Sequence, residues 1–394
     1  MNGMTARRLC PSERYAAREI FAISMHGRIP DPEAAREECE KGTSDLWGTF
    51  LPDGILISEA LLYHYENWFE GVPVPCGAIS TVATLPEYRK QGAASELIRE
   101  MLRTERREGE LFSALFPFRH DFYRRFGFET VPMQNDYIFT PGALADYRFD
   151  GTAELWRPGD PVSYHTALWN RFAGGCNMAA VRSEETMLEE HVDGEFWRDR
   201  KFCYLLRLDG EPAAYVIFQD DRVPPGISTL AVGDWASDGA KGFSALLGFL
   251  GRFGAEYDRI EFYLPGGVEF YSLLRSKQSF SVEKKTRQDY MVRALDAGKI
   301  LGLLRKPSGE TFTVRVRDSL IPENDGNWTV GGSSAVRTDA APDLSLSAEA
   351  FSQLAAGGAG LEEALLRDDV ELFGKGDLLS LVFRRKPILV RECF

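Results

Sequence analysis

In GILISEALLYHYENWF (54–69) and VPVPCGAISTVATL (72–85), apolar positions dominate, with β-branched and aromatic residues prominent. That content predicts strands here. A helical period follows: in ASELIREMLRTERREG (94–109), Leu97, Ile98, Met101 and Leu102 share a helical face opposite charged residues, and Gly109 supplies a stop. ELFSALFPF reads as the next short strand and DFYRRFGFET as a helical turn ending at Gly127, while residues 11–40 read as helices broken at RIPDP. Residues 1–145 are therefore expected to form a mixed α/β unit with a βαβα centre.

The order then recurs. KFCYLLRLDGEPAAYVIFQ (201–219) predicts a hairpin turning at Asp209-Gly210, and GFSALLGFLGRFGAEYDRIEFYLPGG (242–267) a helix, a loop and a strand. A second, related α/β unit is expected over residues 146–290, without an exact repeat. From residue 291 the pattern predicts an α+β module: alternation in ETFTVRVRDSLIPENDGNWTV with a turn at Asp325-Gly326, a helix at SAEAFSQLAAGG, and a terminal strand in GDLLSLVFRRKPILVRECF.

At 394 residues, two or three domains are expected. The 44% hydrophobic and 27% charged composition is that of a folded globular chain. Lys and Arg total 46 against 59 Asp and Glu, a net charge of −13. That balance opposes nucleic-acid binding and suits a cationic partner. The six cysteines are scattered, and the five histidines share no metal or triad spacing, so neither a disulfide framework nor a metal site is expected. A reducing cytoplasm fits this usage. The N-terminus lacks the apolar core of a secretion signal, and no segment has 18 uninterrupted apolar residues, so no membrane association is expected.

The candidate chemistry lies in VATLPEYRKQGAAS (82–95), where a strand breaks at Pro86 and gives way to a helix. Unpaired N–H groups at a helix start form an anion site, Gly92 permits close backbone approach, and Arg89 and Lys90 add positive charge. Basic residue, two positions, Gly, one position, small residue: this spacing of Arg89, Gly92 and Ala94 resembles the acetyl-CoA pyrophosphate loop of the GCN5-related N-acetyltransferases. ALFPFRHDFYRRFGFET (114–130) resembles that family's segment in which a tyrosine precedes an Arg-Phe-Gly-Phe turn. With the length and tail, the whole chain resembles the Eis-like (enhanced intracellular survival) acetyltransferases. The resemblance implies tandem acetyltransferase folds, the second without a cofactor site, followed by a sterol-carrier-protein-like domain.

For the residues, it implies that Val82 and Thr84 pair through their backbone with the pantetheine of acetyl-CoA. Arg89, Lys90, Gln91, Gly92, Ala93 and Ala94 would form the pyrophosphate turn, and Tyr123 would be the general acid. The C-terminal carboxylate, here on Phe394, would be the general base, no metal being required. It also implies a homo-oligomer, a hexamer among the possibilities. The acceptor would be an amine of an aminoglycoside, polyamine or lysine. The competing reading is a lipid-binding or scaffolding protein built on the third domain. Trp68 and Phe69 either wall the acceptor pocket or pack between domains.

Overall fold

The computed structural model describes residues 3–194, 196–221, 227–275, 282–392 and 394. Three sheets organise it. The first runs in the order β1 (Thr5–Arg8), β2 (Asp45–Phe50), β3 (Leu56–Phe69), β4 (Val72–Thr84), β5 (Phe112–Leu115), β14 (Tyr290–Ala294), β6 (Glu129–Val131). α1 (Arg14–Ser24) packs on β3 and β4, followed by α2 (Pro32–Lys41), whose start is capped by the Asp31 carboxylate. α3 (Ala93–Glu108) covers the other face with Leu97, Ile98, Met101 and Leu102 wholly buried, and ends at Gly109, φ +100°. β3 and β4 form one hairpin through Glu70 (φ +53°) and Gly71 (φ +84°), the paired left-handed residues that a tight right-twisted hairpin requires.

The second sheet runs in the order β13 (Val282–Arg287), β7 (Gln134–Phe139), β12 (Arg259–Pro265), β11 (Thr229–Ser237), β10 (Glu211–Asp221), β9 (Lys201–Leu208), β8 (Thr152–Leu155). Its β10–β11–helix–β12 run repeats the β3–β4–α3–β5 order, with β11 and β12 parallel as β4 and β5 are. The third sheet is smaller: β17 (Ser334–Thr338), β16 (Gly326–Gly331), β15 (Thr311–Arg317), β18 (Leu344–Ser347), β19 (Val370–Leu372). Among the described residues, no helix is long and apolar enough to cross a membrane.

Two expectations need correction. The cuts at residues 145 and 290 do not coincide with the sheets, because β7 belongs to the second sheet and β14 to the first. Each of the first two sheets thus contains a strand from beyond the expected boundary. Tyr290–Ala294 is buried at every position, so it needs a partner on both edges, and it finds them in β5 and β6. The expected terminal strand is the second correction. Gly376–Val382 is a helix that buries Leu379 and Val382, three positions apart, and leaves Leu381 61% exposed. Among the described residues of the tail beyond it none joins a sheet; Ile388 makes isolated bridges to Asn177 and Gly266.

Candidate active site

β4 and β5 pair in parallel only from Cys76–Phe112 to Ile79–Leu115, yet β4 continues to Thr84. Beyond Ile79 the two strands part. On its other edge β4 carries one extra residue against β3, since Leu61 faces Ser80 but Glu59 faces Ala83. Thr81, inside this bulge, has φ +54°, a conformation that a β-branched residue adopts at a cost. The bulge bends β4 away from β5 and opens a gap through the sheet.

At the gap's mouth lies the start of α3. Lys90 (φ +60°) and Gly92 (φ +96°) turn the chain into the helix, and no side chain caps it. The helices beginning at Pro32, Ala297 and Ala348 are each capped by a side-chain oxygen. Free N–H groups on a 16-residue helix are suited to an anion. A cleft of about 890 Å³ opens here. Val82, Thr84, Arg89, Lys90, Gly92, Ala93 and Ala94 all line it. The Gln91 side chain instead donates to the Glu87 carbonyl (2.9 Å), pinning the turn. The Thr84 carbonyl accepts from Ser24 Oγ and Arg89 Nε, both at 3.2 Å, so a ligand pairing there displaces these donors. Arg119 and Arg125 add two cations to the wall, beside Phe118 and Phe122. Sequence reasoning missed these four, although they flank the tyrosine in FRHDFYRRFGF. The residues present fit an elongated phosphate-bearing ligand.

Tyr123 and Phe394 pack on opposite faces of the first sheet; the cleft is lined by Tyr123's neighbours Phe118 and Phe122, not by Tyr123 itself. Tyr123, on α4 (His120–Arg124), is 2% exposed and packs with Ile79, Leu115 and the α3 face. Its ring meets Phe118 edge-on at 5.5 Å, and burial holds its phenol well above the usual range. The Phe394 ring packs on the face of Cys76 and Ala114. It is boxed by Phe116 (4.9 Å), Tyr65 (6.0 Å), Tyr63 (6.3 Å) and Tyr290 (6.5 Å). Phe116 and Phe118 are two residues apart, just where the chain leaves β5. Trp68 and Phe69 are elsewhere: the Phe69 ring meets that of Phe112 at 5.1 Å with the planes tilted, and Trp68 packs against the second unit's core.

Glu59 carries no sequence signal, being one of two acids in β3. It is 2% exposed, with Oε1 unpartnered and Oε2 3.5 Å from Thr81 Oγ1 at the bulge. Burial pushes its carboxyl up to about 9, from an ordinary 4.5. Because the folded value is raised, the group's favourable contribution is fully present below about pH 4.5 and is lost as pH rises toward 9. Glu59→Met keeps the volume and removes the titration. Its melting temperature is expected to exceed wild type at about pH 8.5 but not at about pH 4.5, the gap growing by at most roughly 1.4 kcal/mol per pH unit. Melting curves that shift equally at both pH values would contradict this.

Known proteins share this fold. The profile of the acetyltransferase (GNAT) domain matches residues 5–131, ending where β6 ends, and that of the sterol carrier protein domain matches residues 292–389. An uncharacterized N-acetyltransferase of Streptomyces avermitilis is 24% identical, covering 74% of each chain. Two solved structures share the fold from end to end. A GCN5-related N-acetyltransferase from Anabaena variabilis superposes with a TM-score of 0.81 at 17% identity, covering 99% of this chain and 100% of that one. Eis1 from Mycobacterium abscessus gives 0.81 at 21% identity, with the same coverage. The chain is thus an acyltransferase with a GCN5-related acetyltransferase domain at its front, a sterol carrier protein domain at its back, and the Eis-like fold over its whole length.

Proposed function

We propose that this chain moves an acetyl group from acetyl-CoA to a primary amine of a cationic acceptor, of the aminoglycoside, polyamine or lysine type. Acetyl-CoA supplies the acetyl group already activated as a thioester. One observation carries the reading. Tyr123 packs on Phe118 on one face of the sheet and the terminal residue on Phe116 on the other, and Phe116 and Phe118 are two residues apart. An acid on one face and a base on the other suit direct transfer through the gap.

In this reading the free N–H groups of α3 and the side chains of Arg89 and Lys90 hold the pyrophosphate, and the free edge of β4 near Val82 and Thr84 aligns the pantetheine arm. The carboxylate of Phe394 takes the proton that the acceptor ammonium must lose. Tyr123, kept protonated by burial, donates to the departing sulfur. The net charge of −13 draws a cationic acceptor in. The lipid-carrier reading has less support: the third domain's interior is filled by Phe312, Val314, Leu354 and Phe383, each at most 1% exposed. Its surface cleft is lined by polar residues such as Arg315, Asn327 and Arg337.

A panel of aminoglycosides, polyamines and lysine peptides, scored by released CoA and by the mass of the acetylated product, tests the reading. At least one cationic amine is expected to gain one acetyl group. Acetyl-CoA consumed with no acetylated amine across the panel would oppose it.

The cofactor turn makes a separate demand. A Cβ on Gly92 would meet nothing nearer than Met4 Cε at 3.9 Å, so space is not the obstacle. The backbone is: at φ +96°, a β-branched residue forces the turn to move. Gly92→Val is expected to weaken acetyl-CoA binding about tenfold or more, roughly 1.4 kcal/mol, while the chain still folds. Calorimetry giving an unchanged Kd would refute the assignment of the turn.

A further inference from the structure

The second unit shares the first unit's strand order but has Asp238 at the turn leading from β11 into the helix Gly239–Leu250, where the first unit has Arg89 and Lys90. Its task must be sought elsewhere. A buried charge cluster lies at its contact with the C-terminal tail. Arg182 is fully buried and donates from Nη1 to Asp234 (2.7 Å) and from Nε to Glu392 (2.9 Å). Its guanidinium lies 3.3 Å over the Trp169 ring. Asp234 also accepts from Tyr215 (2.7 Å) and Tyr263 (2.9 Å), which completes its shell. The next tail residue back, Arg391, donates to Gln134 (2.7 Å) and the Gly233 carbonyl and covers the Tyr263 ring at 4.0 Å.

The Arg182 backbone is fixed just as firmly. Asn170 brackets it, accepting from its N–H (3.0 Å) and donating to its carbonyl (2.8 Å). Ala180 and Val181, the residues before it, pair with Asn67 and Glu66 of β3. Arg182 is therefore referenced to the first sheet and the second at once. Buried ion pairs add little net stability, because desolvating the charges offsets their attraction, and their best-attested use is to fix a register. The register fixed here is that of the tail, and Glu392 stands two residues before the chain end.

We infer that Arg182 is a positioning residue: through Glu392 it fixes where the terminal carboxylate of Phe394 stands, and this anchoring is the second unit's contribution to acetyl transfer. The inference rests on the terminal carboxylate acting as base. Two residues span at most about 7 Å, so an anchor at Glu392 sets the reach of everything after it. A displacement of about 1 Å at a reacting group can cost roughly 10²-fold in rate.

The test measures kcat and acetyl-CoA Kd for Glu392→Ala and Glu392→Gln, each in the full-length chain and in a chain lacking Phe394. In the full-length chain, Glu392→Ala is expected to lower kcat about tenfold or more with Kd unchanged. Glu392→Gln, whose amide oxygen still accepts from Arg182 Nε, should retain most of the rate. Without Phe394, neither substitution should lower kcat further. Equal losses in both backgrounds, or a folded Glu392→Ala with full kcat beside an impaired chain lacking Phe394, would overturn the inference alone. A chain lacking Phe394 that keeps full kcat would overturn the terminal-base reading, and the inference with it. Should Glu392→Ala not fold, the Gln variant still decides: a loss equal in both backgrounds overturns the inference.

Discussion

Lengthening the chain by a few residues after Phe394 is expected to lower turnover by roughly 10²-fold or more, as severely as deleting Phe394. Acetyl-CoA binding should hardly change. The reason is chemical as well as steric: an extension keeps the Phe394 ring but converts its carboxylate into an amide, which has no basic oxygen at neutral pH. The ring is boxed by Tyr63, Tyr65, Phe116 and Tyr290, so the added residues must also leave a packed enclosure. Steady-state kinetics on a chain with a short C-terminal tag check this, and an N-terminal tag of equal length serves as the control. Unchanged turnover in the C-terminally tagged chain would move the search for the base to an internal group.

The second large effect concerns the acid. Tyr123→Phe removes one hydroxyl and leaves the edge-on packing against Phe118, Phe122 and Phe128 in place. Turnover should fall by roughly 10²-fold while acetyl-CoA affinity stays within about twofold, because the lost interaction is made only as the sulfur departs. Burial holds the phenol well above its ordinary value, so the alkaline limb of the pH–rate profile should not report Tyr123 near neutrality. A Phe variant with wild-type kcat would leave Tyr123 as a packing residue only.

The parts of the fold that sequence revealed are those written in local patterns. The β-branched and aromatic runs of β3 and β4, a helical face on α3 and a glycine at each end of that helix depend on neighbours within a few positions. The turn at residues 89–94 was legible for the same reason. Strand exchange was not: β7 and β14 find their partners more than 100 residues away, and no spacing within either strand names the sheet it joins. LLSLVF at residues 378–383 failed differently, since a short apolar run reads equally as strand or helix until its partners are known. Glu59 gave no sign because an acid in a strand ordinarily faces water, whereas here α1 covers its face. The Arg182–Glu392 pair joins residues 210 positions apart. Even the opposed placement of Tyr123 and Phe394 needed the structure, because it depends on which face of β5 each ring meets.

The claim that acid and base approach one opening from opposite faces is tested most directly by a crystal structure of the protein with acetyl-CoA bound. The account predicts the acetyl group in the gap between the free end of β4 and Phe116. The Tyr123 hydroxyl should then be within about 3.5 Å of the sulfur from the α3 face, and the Phe394 carboxylate should stand on the other face. A terminal carboxylate turned to solvent, or a sulfur beyond reach of Tyr123, would contradict it.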